Sequence, residues 1–107
     1  MTLKDLKQRA EKAGFKYAYG TFKNSVNPPH LVALCKSSTN YFADNKVYYK
    51  KIPVQLDYTY LDKNEIEQLR IEEEILKDIA WNKSDETYLP DEKIWQVSYF
   101  FELEGGI

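Results

Sequence analysis

The side chains able to do chemistry in this 107-residue chain are few and widely spaced. There is one histidine, His30, and one cysteine, Cys35. A lone histidine removes Ser–His and Cys–His nucleophilic pairs and multi-histidine metal sites, unless a second chain contributes. His30 follows Pro28-Pro29 at the start of an apolar run, where a surface or structural role fits better than catalysis. Cys35 has no internal disulfide partner, and beside Leu31–Leu34 it reads as a small buried hydrophobe. The carboxylates Asp44, Asp57, Asp62 and Asp85 are scattered over turns and strand faces. No spacing forces two of them together, as glycosidase or acid-protease chemistry requires.

The glycines form no phosphate cradle: Gly14 and Gly20 fall in different elements, and Gly105-Gly106 is terminal. Asp44-Asn45-Lys46 opens like a calcium loop but lacks the glycine of the sharp turn and the closing glutamate. The residues thus predict no catalytic site, no cofactor and no metal.

The elements that would position any site follow from periodicity. Thr2 and Asp5 form a capping signal, after which Leu3, Leu6, Ala10 and Ala13 recur at helical spacing until Gly14. A first helix is predicted over residues 2–13, then a strand over Phe15–Phe22. The loop Asn24–Asn27 and the two prolines defer the next strand to about His30. Leu31–Cys35 is a continuous apolar run, the pattern of a central strand covered on both faces. Tyr41–Lys51 carries turn chemistry at Ala43-Asp44-Asn45 and predicts a short hairpin projecting from the sheet. Val54, Leu56, Tyr58 and Tyr60 then alternate with Gln55, Asp57 and Thr59 as a half-buried strand.

A second helix is predicted from Asp62 or Asn64 to about Ala80. Its apolar face reads as Ile66, Leu69, Ile71, Ile75, Leu76, Ile79 and Ala80, and Glu72-Glu73-Glu74 as a solvated flank. Trp81–Leu89 and Ile94–Leu103 read as two strands about Pro90-Asp91-Glu92. In the last of these Trp95, Val97, Tyr99, Phe101 and Leu103 share one face, and Ile94 and Phe100 are apolar on the other, which predicts an internal strand. The expected core holds Leu31, Val32, Leu34, Val54, Leu56, Ile66, Leu69, Leu76, Val97 and Tyr99. The fold class is α+β in a single domain over residues 1–107: a central, mostly antiparallel sheet of four to five strands with two helices packed on it, in the order α-β-β-(hairpin)-β-α-β-β.

Acids and bases are mixed along the chain and the net charge is −2, which argues against phosphate-driven or sequence-specific nucleic-acid binding. No apolar run approaches bilayer length, and charged residues separate Leu3 from Leu6, so neither a membrane span nor a signal peptide is expected. Nine tyrosines are the compositional anomaly; tyrosine favours both strands and protein–protein contacts.

Three segments carry a resemblance. They are Pro28-Pro29-His30-Leu31-Val32, then Asn40 to Lys50 leading into Val54-Gln55-Leu56-Asp57-Tyr58-Thr59-Tyr60, and Glu86 to Lys93 followed by Ile94 to Glu102. Together they resemble a family of roughly hundred-residue proteins encoded in the head–tail junction module of siphophages and prophages, of the tail-terminator or tail-completion type. The most specific part is Phe-Ala-Asp-Asn-x-Val-Tyr, residues 42–48. The resemblance implies a structural virion protein, made in the host cytoplasm, that assembles as a homo-oligomeric ring, typically a hexamer. Its implied partners are the tail tube protein and the head connector proteins. The expected assembly surface is Tyr41, Phe42, Asp44, Asn45, Lys46, Tyr48, Tyr49 and Lys50. The residues alone leave a second reading open, a small monomeric cytoplasmic binding module with Tyr41, Tyr48, Tyr49 and Tyr58 lining a groove.

Overall fold

The computed structural model describes residues 2–35, 39–43 and 46–104, with the backbone alone for 39–43, 46–51 and 104. Helix α1 spans Leu3–Lys12. The Thr2 hydroxyl accepts from the Asp5 N–H at 3.2 Å and the Asp5 carboxylate accepts from the Thr2 N–H at 3.1 Å, so two otherwise orphaned donors are satisfied. Those hydrogen bonds, the one from the Thr2 N–H above all, hold the Asp5 carboxyl below its usual range. Gly14 ends the helix at φ +88°, and Phe15 folds back to donate to the Ala10 carbonyl and enter the core.

Strands β1 (Tyr17–Tyr19), β2 (His30–Cys35), β3 (Thr39–Ala43), β4 (Lys46–Tyr60), β5 (Trp81–Lys83), β6 (Thr87–Leu89) and β7 (Ile94–Glu104) form one sheet. Its rows run β1-β2-β4-β7-β5. Only β1 and β2 are parallel; the other pairings are antiparallel. β4 meets β7 along one edge, so β2 and β3 share its other edge as one interrupted row. By the same logic β5 and β6 share the outer edge of β7. The first predicted strand contracts to three residues because Gly20, at φ +83°, turns the chain away after donating to the Ala33 carbonyl. The strand predicted over Trp81–Leu89 is broken: its register against β7 slips by one residue between Lys83 and Thr87.

Helix α2 (Glu65–Arg70) is capped by the Asn64 side chain, which accepts from the Ile66 N–H at 3.0 Å. It continues as a π-helical turn, Ile71–Ile75, closed by the Leu76 N–H on the Ile71 carbonyl. The helix therefore stops well short of Ala80. Both helices cover one face of the sheet, over Leu31, Ala33, Val54, Leu56, Tyr58, Val97, Tyr99 and Leu103. Phe15 meets Tyr58 edge-on at 6.0 Å, and the Arg70 guanidinium lies over the Phe15 ring. Arg70 also donates to the Ala13 carbonyl, which ties α2 to the end of α1.

Four expected core residues lie elsewhere. Ile66 is 67% exposed and Leu69 51% exposed. At about 100° per residue Ile66 and Ile71 stand roughly 140° apart around a helix, too far for one stripe, and Ile71, Ile75 and Leu76 take the core side. Leu34 is 37% exposed and Val32 only half-buried. They alternate with buried Leu31 and Ala33 and so face the side that carries no helix; β2 is covered on one face, not two.

Candidate functional site

Two features of this frame are not needed to close the core. The first is an arm. β4 is 15 residues long, about 50 Å, close to the 51 Å longest dimension of the molecule. β7 accompanies it only from Lys51, opposite Glu104, to Tyr60, opposite Trp95. Residues 46–50 are paired with β3 alone, as a two-stranded ribbon extending about 17 Å past the end of β7. Within it Tyr41 lies opposite Tyr49 and Phe42 opposite Val47, so the register shift leaves Tyr48 as the extra residue of a bulge. The predicted projecting hairpin is thus the prolongation of the central strand. Asp44 and Asn45 fall outside the described residues, as do the side chains of Tyr41, Phe42, Lys46, Tyr48, Tyr49 and Lys50.

The second feature is the sheet face opposite the helices. Alternation and register bring Val32, Asp57 and Ser98 into one cross-strand row, and Leu34, Gln55 and Phe100 into the next. Asp57 Oδ1 accepts from Ser98 Oγ at 2.6 Å and from Gln55 Nε2 at 2.8 Å. Asp57 is only 9% exposed, and among the described residues no lysine or arginine pairs with it. A carboxylate so placed depends on those two neutral donors for its solvation. Glu102 is a second acid of this face, and none of the described strand residues around Asp57 on it is Lys or Arg.

His30 stands at the Thr59 end of the same face, its ring 5.2 Å from Phe22 of the loop after β1. Its Nδ1 is buried without a hydrogen-bond partner. Burial, aided by the nearby Lys16 charge, lowers its pKa, which favours the neutral ring. No hydrogen bond links it to Asp57 or Ser98, so these three do not form a nucleophilic relay. Cys35 is half-buried at the rim of the core. Asp62 and Asp85 are exposed. Among the described residues no three His, Cys, Asp or Glu side chains gather as metal ligands, and no helix is long and apolar enough to cross a membrane.

On the helix side a shallow cavity of about 420 Å³ opens between α2 and the β5–β6 connection, lined by Lys63, Gln68, Leu69, Lys83, Asp85 and Glu86 among others. Gln68 Nε2 donates to Glu86 at 2.6 Å across its floor, and Lys63 pairs with the same carboxylate at 3.5 Å. These bonds, the one from Gln68 first, lower the Glu86 pKa. The Tyr60 hydroxyl behind them is buried without a hydrogen bond of proper geometry, and burial raises its pKa.

Of the tyrosines proposed to line a groove, Tyr58 is beneath the helices at 2% exposure, and burial pushes its pKa up to about 12. It is a core residue, not a groove residue. The Asp57 cluster, in contrast, escaped sequence reasoning. The alternation of Gln55, Asp57 and Thr59 was visible, but the serine that meets them lies 41 positions away in the chain. No protein-family model matches the chain, and no curated protein matches it.

Proposed function

We propose that this protein is a structural component of a tailed-phage or prophage virion, a head–tail joining adaptor of the tail-terminator type that acts by ring assembly and without catalysis. It is made in the host cytoplasm and ends in the virion, between the tail tube protein and the head connector proteins. The observation that best supports this reading is the arm: a two-stranded ribbon that extends the central strand past the end of β7. An isolated ribbon of two strands is marginal in water, so it gains most by docking on another surface. Its composition suits that role, with Tyr41, Phe42, Tyr48 and Tyr49 beside Lys46 and Lys50. A closed ring of identical subunits joins unlike surfaces of neighbours, which asks for a projecting part on one side and a receiving part on the other.

Inactivation of the gene in the phage or prophage that carries it, followed by electron microscopy of the particles, tests this. Filled heads separated from tails, restored to joined particles by the intact gene but not by one lacking residues 41–49, are the expected result. Normal joined particles in the absence of the protein sink the reading.

A further inference from the structure

We propose that the helix-free face of the sheet is the receiving surface for the arm, so that residues 41–51 of one copy lie across Val32, Leu34 and Asp57 of the next. The inference deepens the ring reading and rests on it for its biological setting.

Four observations converge. The face combines partly exposed aliphatic side chains, Val32 and Leu34, with a buried acid whose hydrogen-bond partners among the described residues are the neutral Ser98 and Gln55. Around Asp57 its described strand residues include the acids Asp57 and Glu102 and no lysine or arginine, the Lys16 charge lying at the far, His30 end. Residues 41–51 are the complement: aromatic at Tyr41, Phe42, Tyr48 and Tyr49, with three lysines against one aspartate. Opposite charge in an apolar, desolvated setting gives such a pair both orientation and partner choice. A ribbon laid on a sheet is also the packing of a β-sandwich, with a spacing of about 10 Å. Finally, one copy cannot satisfy itself, because the arm leads away from the face along the axis of β4. Each copy therefore offers one arm and one face, and repetition of that contact is the head-to-tail geometry that closes rings.

Disulfide trapping tests the contact directly. In a Cys35→Ala background, one chain carries Leu34→Cys and a second, differently tagged chain carries Tyr49→Cys. Mixed at millimolar concentration under mild oxidation, they should give a 34–49 heterodimer, identified by mass spectrometry, at least ten times faster than a pairing of Ile66→Cys with Tyr49→Cys. Ile66 is exposed but lies on the helix side. Adding Lys50→Glu and Lys51→Glu to the arm chain should slow the link about tenfold. A 34–49 link no faster than the Ile66 control, or none at all, overturns the contact, and a rate indifferent to the glutamate changes overturns the charge match. Rings seen by electron microscopy without a 34–49 link would remove this contact and leave the ring reading intact. A 34–49 dimer in a protein whose loss leaves particles joined would do the reverse.

Discussion

The Tyr99 hydroxyl donates a 2.7 Å hydrogen bond to Glu72 Oε2, joining the middle of the last strand to the π-helical turn above it. The same oxygen receives Lys83 Nζ at 2.8 Å, and the Lys83 ammonium lies 5.5 Å from the centre of the Tyr99 ring. Burial first, and then the Glu72 carboxylate, raises the Tyr99 pKa, so the phenol stays protonated and donating. Tyr99→Phe keeps the ring and removes the donor. Its expected cost is about 1.5–3 kcal/mol, the range for a hydrogen bond to a charged group, read from denaturant unfolding. An unchanged midpoint would mean that Lys83 alone satisfies Glu72.

Arg9 grips Asp78 with two nitrogens, at 2.7 and 3.0 Å, and donates to the Ile75 carbonyl at 3.1 Å. The hydrogen bond from Arg9 is the main reason the Asp78 carboxyl is held down to about 2. A folded-state pKa below the unfolded one gives stability that is present above about pH 4 and is lost as pH falls towards 2. Asp78→Asn should therefore flatten the acid limb of a melting-temperature profile in that window and leave the neutral-to-alkaline part parallel to wild type. Superimposable acid limbs would show that the pair contributes nothing.

Leu56 and Leu69 separate the two readings of the core. Leu56 is fully buried between sheet and helices, and Leu56→Ala should cost roughly 2–5 kcal/mol. Leu69→Ala, on the exposed side of α2, should stay within about 0.5 kcal/mol of wild type. The opposite order in a thermal melt would put the wrong side of α2 against the sheet.

Lys93 sits at φ 57° in the four-residue connection from β6 to β7, its N–H donating to the Leu89 carbonyl at 2.8 Å. A lysine in this left-handed region costs about 1–2 kcal/mol, part of which glycine recovers. Lys93→Gly should raise stability by about 0.5–1 kcal/mol, checked by the midpoint in urea, and a lower midpoint would refute the turn geometry.

Local chemistry was the most legible part of the chain. Thr2 and Asp5 foretold the cap, Gly14 the end of α1, and the prolines the start of β2. The alternation in Val54–Tyr60 and in Trp95–Leu103 put the right side chains under the helices because a strand has one period and one register. The second helix was legible only in part. Seven apolar residues spread around more than half its circumference can be read as one broad face, and only contact with the sheet selects Ile71, Ile75 and Leu76 over Ile66 and Leu69. Glu72 looked like a solvated flank because its partners, Tyr99 and Lys83, come from strands distant in sequence. The arm was foreseen as an excursion, but turn chemistry at residues 43–45 does not reveal that the strand behind it continues unbroken into the core. The row of Val32, Asp57 and Ser98 is set by register, which no single segment encodes.

That continuity has a mechanical meaning. A pull on the arm along its own axis loads β4 lengthwise, against ten paired residues of β7 and six of β2 at once. Hydrogen bonds that lie across the direction of force share it in shear, whereas a load at right angles would peel them one after another. A subunit held by its arm would pass tension from its neighbour straight into the row that anchors its own core, with no hinge between them.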